Sequence, residues 1–192
     1  MKTLNIYFCI LFVSFAFTNV LSAYASSQSE NNYPEMTSKV EKPKIDIQSA
    51  IISNNLEAVK QYIKEGGDVN IKDPVSGSTP LITATTFGKT DIAKALIDAN
   101  AELDIKNNEG STALHAAAFF CRVEIVQMLV DAGAEKTIRN NHGATPRESV
   151  IVPFNEMKPV YEMIQQQLAP LGLKINLKEL EITRPMVARM LQ

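Results

Sequence analysis

GSTPLITATTFGKTDIAKALIDANAELDIKNNE, residues 77–109, is followed directly by GSTALHAAAFFCRVEIVQMLVDAGAEKTIRNNH, residues 110–142. The two stretches match in register over 33 residues, and a third copy opens at Gly143 as GATPRESV. An earlier copy is visible from Ala50 in AIISNNLEAVKQYIKEGGDVNIKD, shifted by one loop residue. A period of this size means a stack of supersecondary units, each of which buries its apolar face only against its neighbours. Function in such a chain belongs to a surface rather than to an enclosed pocket.

Each copy reads as helix, turn, helix, loop. Thr79 is placed to cap a first helix, with Pro80 at the first helical position, where a missing N–H costs nothing. Thr145 and Pro146 repeat the device. The inner side of this helix is small, with Ala84 matched by Ala117, and Gly88 ends it. The second helix opens with an acid, Glu57, Asp91 or Glu124, where the helix dipole favours negative charge. Its apolar stripe recurs as Val59 and Tyr62, Ile92 and Leu96, Ile125 and Leu129, the one-sided pattern of a helix packed on its neighbours. Gly66, Asn100 and Gly133 close these helices and tolerate the left-handed cap conformation.

Thr-Pro-Leu, a small helix, a short break, an acid-led helix and a closing GGDVN or ANAELD together resemble ankyrin repeats, over about Asp46 to Val150. The resemblance implies an all-α solenoid of helix-turn-helix pairs with short β-turn or hairpin loops and C-terminal capping helices. Three positions depart from the family pattern: Ala113 stands where proline is usual, Ile82 where histidine is frequent, and Cys121 where glycine is usual. His115 falls on the family's structural Thr-x-Leu-His position, which implies a scaffold role.

The segments outside the repeats read differently. Lys2, the uncharged run Ile6 to Phe17 and the small-x-small triplet Ala23, Tyr24, Ala25 predict a secretory signal over 1–25. Its removal would leave 167 residues with 18 basic and 21 acidic side chains, a net charge of −3. That balance offers no footprint for a nucleic-acid backbone. No later segment is apolar enough to span a membrane. Residues 26–44 are polar with two prolines and read as a disordered linker. The repeats are expected at about 45–76, 77–109 and 110–142, with an irregular fourth over 143–168. Val160, Tyr161, Ile164 and Leu168 would form the second helix of that fourth repeat. Residues 169–192 would then form capping helices, with Asn176 as a cap and a break near Pro185.

Catalytic constellations are absent from the sequence pattern. The histidines are His115 and His142, the one cysteine after the signal is Cys121, and none stands at metal-ligand spacing. No phosphate loop or nucleophile elbow occurs. The expectation is a monomer that is not an enzyme, with no cofactor and no catalytic or metal-binding residue, and that binds a protein partner through its groove and loop tips. Cys121 without a partner fits no intramolecular disulfide, and no Asn-x-Ser/Thr acceptor occurs. A bacterial periplasmic or secreted setting follows, the alternatives being a host-directed effector of an intracellular bacterium and a thiol enzyme or redox sensor using Cys121 with His115.

The contact candidates are aromatic and polar. Phe119 and Phe120 follow the small run Ala116 to Ala118, and Phe87 matches Phe120 one repeat earlier. Adjacent helix positions cannot both point inward, so at least one phenyl is expected to be exposed, as an interface anchor. The ankyrin resemblance adds the loop tips: Asn108, Glu109 and Ser111, then Asn141 and His142.

Overall fold

The structure, a computed structural model, describes residues 46–192. The expected signal and linker, residues 1–25 and 26–44, lie outside the described residues. The helices are α1 (Ile47–Ile52), α2 (Leu56–Lys64), α3 (Pro80–Thr86), α4 (Thr90–Asp98), α5 (Ala113–Phe119), α6 (Val123–Asp131), α7 (Pro146–Ile151), α8 (Phe154–Leu168) and α9 (Leu177–Met190), with one 3-10 turn at Ala169–Leu171. There is no strand among the described residues.

The caps explain where the first helices begin. Thr79 accepts from the Ile82 N–H at 3.3 Å, with Pro80 in the first turn. Thr145 accepts from the Glu148 N–H at 3.2 Å, and the Glu148 carboxylate accepts from the Thr145 N–H at 2.8 Å, a reciprocal capping box. At Thr112 no proline follows, and His115 closes the box: its Nδ1 accepts from the Thr112 N–H at 3.2 Å. Turns between paired helices are made by Asn54, Gly88 and Cys121, all at positive φ, so each second helix folds back on its first.

First helices stack on first helices, α1 on α3, α3 on α5 and α5 on α7, while α2 packs on α4 and α4 on α6. The buried stripe runs without a gap through Ile51, Leu81, Leu114 and Val150 on one layer and Val59, Leu96 and Leu129 on the other. Ala84 and Ala117, fully buried, allow the close approach of neighbouring first helices.

The C-terminal part departs from expectation. The second-helix place of the fourth unit is filled by α9, not by residues 160–168: α9 packs on both α6 and α7, and its Val187, with Leu191 just beyond its end, completes the main core. The cause lies at Val152 and Pro153, both extended (ψ 137° and 135°). A residue before proline is driven out of the helical region, so the chain leaves α7 extended instead of turning tightly as at Gly88 or Cys121. Helix α8 is therefore carried away from α7 and joins a second apolar cluster of Met157, Val160, Tyr161, Ile164, Leu168, Leu173 and Leu180. The expected break near Pro185 is also absent, since α9 runs through it. Pro185 and Glu181 are both exposed, so the carbonyl that loses its helical donor faces water.

Candidate functional site: a row of linked loop tips

Three loops project from the stack with one construction. The Oδ1 of Asp73 accepts from the N–H groups of Val75 (3.1 Å) and Ser76 (2.7 Å). Asn107 does the same for Glu109 (3.0 Å) and Ser111 (2.9 Å), and Asn140 for His142 and Ala144 (3.0 Å each). Two backbone bonds close each loop: Asp73 N donates to Ser78 O, Asn107 N to Ser111 O and Asn140 N to Ala144 O, and Gly77, Gly110 and Gly143 N donate back to Asp73, Asn107 and Asn140 O. These side chains hold the tips in shape without strands.

Successive tips are then joined. The Asn108 N–H donates to Ser76 O at 3.0 Å and its Nδ2 to Val75 O at 2.8 Å. Asn141 repeats the pair on Glu109 O (3.0 Å) and Asn108 O (2.9 Å). The close approach demands glycine: a Cβ on Gly77 or Gly110 would stand 2.3 Å or 2.4 Å from the Oδ1 of Asn108 or Asn141, and both glycines have positive φ. Lys72 Nζ donates to Lys106 O (2.8 Å) and Lys106 Nζ to Arg139 O (3.0 Å), a second tie between repeats. Asn108 and Asn141 thus spend their side chains on the ladder. Glu109 and His142 remain at the rim, 3.5 Å apart between Oε2 and Nε2, and Ser111 is half-buried.

The aromatic candidates lie elsewhere and are covered. Phe87, Phe119 and Phe120 are half-buried against the second cluster. Phe119 meets the Phe120 ring edge-on at 5.0 Å and the Tyr161 ring at 4.8 Å. The Tyr161 hydroxyl donates to Phe119 O at 2.8 Å and accepts from Arg184 Nη1 at 2.6 Å. Arg184, 4% exposed, also donates to Val152 O. The expectation of an exposed phenyl fails because α8 lies over the ends of the first helices. Its burial pushes the Tyr161 phenol well above the ordinary value, which keeps it protonated as donor.

Burial pushes the Cys121 thiol up, against the opposing pull of Thr183, Arg184 and Arg122, so the nucleophilic thiolate is disfavoured. Its Sγ lies 3.6 Å from Ala118 O, in a cleft lined by Phe120, Arg122, Glu179 and Thr183. His115, 2% exposed, bonds Thr112 through Nδ1 and Ala144 O through Nε2 at 3.0 Å, tying the third repeat to the fourth. Burial holds its pKa below the usual value. Among the described residues no group of three or more His, Cys, Asp or Glu could hold a metal ion, and no helix is long and apolar enough to cross a membrane.

The helix pairs, the capped threonines and the linked tips coincide with a match of residues 47–140 to the family model of ankyrin repeats, in three copies. Residues 47–140 are ankyrin repeats. Protein phosphatase 1 regulatory subunit 27 of Homo sapiens and that of Mus musculus are each 41% identical to this chain over 63 residues, which is 33% of this chain and 40% of theirs. The match therefore spans less than half the length of these curated relatives. Among solved structures, the ankyrin repeat domain of Bcl-3, a member of the IkappaB protein family, superposes with a TM-score of 0.53 at 25% identity, covering 60% of this chain and 50% of that one.

Helices α7, α8 and α9 lie beyond the matched ankyrin repeats. Two residues central to this region, Tyr161 and Arg184, were not among the sequence candidates. Tyr161 reads from sequence as one apolar position of a helix and Arg184 as a surface cation. Only the pairing of α8 with α9 shows that they share a hydrogen bond.

Proposed function

We propose that this chain is a noncovalent protein-binding module whose contact surface is the row of loop tips, with Glu109, Ser111 and His142 as direct contacts and Asn108 and Asn141 as the residues that hold the row rigid. The observation that carries this reading is the ladder itself: consecutive tips are locked to one another, so the row is preorganised, and little ordering entropy opposes binding. The ankyrin repeats and the likeness to a phosphatase regulatory subunit support a binding rather than a catalytic role. The raised thiol of Cys121 and the fully engaged ring of His115 count against the thiol-enzyme alternative.

Affinity capture with the full chain and with a Glu109→Lys, His142→Glu variant tests it. A partner held by the first and lost by the second, at equal folding, supports the reading. Capture indifferent to both substitutions contradicts it.

We further propose export, to the periplasm or beyond, as a monomer. The basic start, apolar run and small-x-small triplet within residues 1–25 support it. Amino-terminal sequencing of the fractionated protein should find a start near Ser26. An intact Met1 in the cytosolic fraction would contradict export.

A further inference from the structure

The stack would be complete without α8. The main apolar core takes residues from α1 to α7 and from α9, which fills the last second-helix place, and none from α8. Helix α8 instead contributes Met157, Val160, Tyr161, Ile164 and Leu168 to a separate cluster, whose other wall includes Phe87, Phe119 and Phe120. These five positions lie on one stripe of the helix, while Glu156, Lys158, Glu162 and Gln166 face water. At 15 residues α8 is about 22 Å long. Its Tyr161 lies on Phe119 at the end of first helix α5.

The way α8 is held sets it apart from the other helices. Neighbouring first helices approach closely through small residues such as Ala84 and Ala117, but α8 reaches the repeats through long side chains, above all the Tyr161 ring and hydroxyl on Phe119. It begins after Pro153 with no side-chain cap, carries Pro159 inside, and ends in a 3-10 turn followed by Gly172 at positive φ. No residue of the main core belongs to α8, so α8 can leave without opening that core. Segments packed outside the main core occupy the low end of the local-stability range.

We propose that Phe87, Phe119 and Phe120 form a helix-binding face whose resident ligand is α8, and that a partner offering an amphipathic helix with a tyrosine, followed three and seven residues on by aliphatic side chains, displaces it. The seated helix defines the chemistry: Tyr161, Ile164 and Leu168 supply that spacing. As a tethered ligand α8 competes at an effective concentration on the order of millimolar, so a helix of equal quality in solution is excluded until the tether is weakened or the competitor is better anchored. This face is separate from the loop tips, and the proposal stands or falls independently of them.

The test uses the full chain and, as probe, a labelled peptide of residues 153–171. Tyr161→Ala weakens the resident helix, and the peptide is expected to bind that variant at least ~10-fold more tightly than wild type, as loss of an aromatic anchor commonly gives. Phe119→Ala added to the variant should reverse the gain. In wild type, hydrogen exchange should show α8 amides opening while α5 and α6 stay protected. The proposal is overturned if the peptide ignores the Tyr161→Ala chain. It is equally overturned if that variant loses protection throughout α5 and α6, or if wild-type α8 exchanges only together with them.

Discussion

The Tyr161 hydroxyl donates to the main-chain carbonyl of Phe119 across 42 residues of sequence, at 2.8 Å, while accepting from Arg184 at 2.6 Å. One phenol thereby joins three parts of the chain: the end of first helix α5, the overlying helix α8 and the terminal helix α9. Tyr161→Phe keeps the ring contacts but leaves a buried carbonyl and a buried guanidinium short of a partner. The α8 amides should lose hydrogen-exchange protection equivalent to about 1–3 kcal/mol, with α5 and α6 unchanged. Equal loss in all three helices would show that α8 is not a separable unit.

The tip ladder predicts a difference between two glycines in equivalent loops. Gly110 and Gly143 both have positive φ, but an added Cβ meets the Asn141 carboxamide at Gly110 and open space at Gly143. Gly143→Ala should cost about 1–2 kcal/mol from backbone strain alone, and Gly110→Ala clearly more. Denaturant midpoints measure both. In the double variant Gly110→Ala, Asn141→Ala the two effects should be non-additive, because Asn141→Ala removes the carboxamide that the added Cβ meets, while the Asn141 backbone N, 2.8 Å from that Cβ, stays.

Cys121 has a φ of 49° at a turn that uses Gly88 (φ 63°) in the preceding repeat. Cys121→Gly should relieve strain and raise stability by up to about 1 kcal/mol, less the small loss of sulfur packing. The half-buried thiol, its pKa raised, should also react with an alkylating reagent at neutral pH more slowly than a free cysteine, and recover its reactivity on denaturation.

His115 gives a pH signature of known sign. Its pKa in the fold lies below the ordinary 6.5, so the unfolded chain binds the extra proton first. Its contribution to stability is complete above pH 6.5 and is lost as pH falls through the folded value. Thermal midpoints should therefore drop between pH 7.5 and pH 5. His115→Asn should flatten that part of the profile, above the range where Glu135 and Glu148 titrate.

The ankyrin fold was legible because the 33-residue register places the same residue types at the same structural tasks: threonine caps, small first helices, acid-led second helices. The C-terminal arrangement was less so. Both 154–168 and 177–190 carry a helical apolar period, and period alone does not say which one docks on α7. That choice was made by Pro153, which prevents the tight turn the other repeats use. Phe119 stood out in sequence as one of two adjacent aromatics, but its cover comes from Tyr161, 42 residues on, a distance at which sequence pattern carries no register. Arg184 was invisible for a related reason, since arginine reads as a surface residue unless its partners are known. At the tips, the positions of Asn108 and Asn141 were legible, but their bonds across the ladder follow from how neighbouring repeats stack.

The central claim is that the loop-tip row is where this chain meets another protein. A photo-crosslinking residue placed at position 142, in the rim, and separately at position 127, on the exposed face of α6, tests it directly in cells that make the protein. A discrete crosslinked protein is expected from position 142 and none from position 127. A crosslink from position 127 with none from position 142 would contradict it.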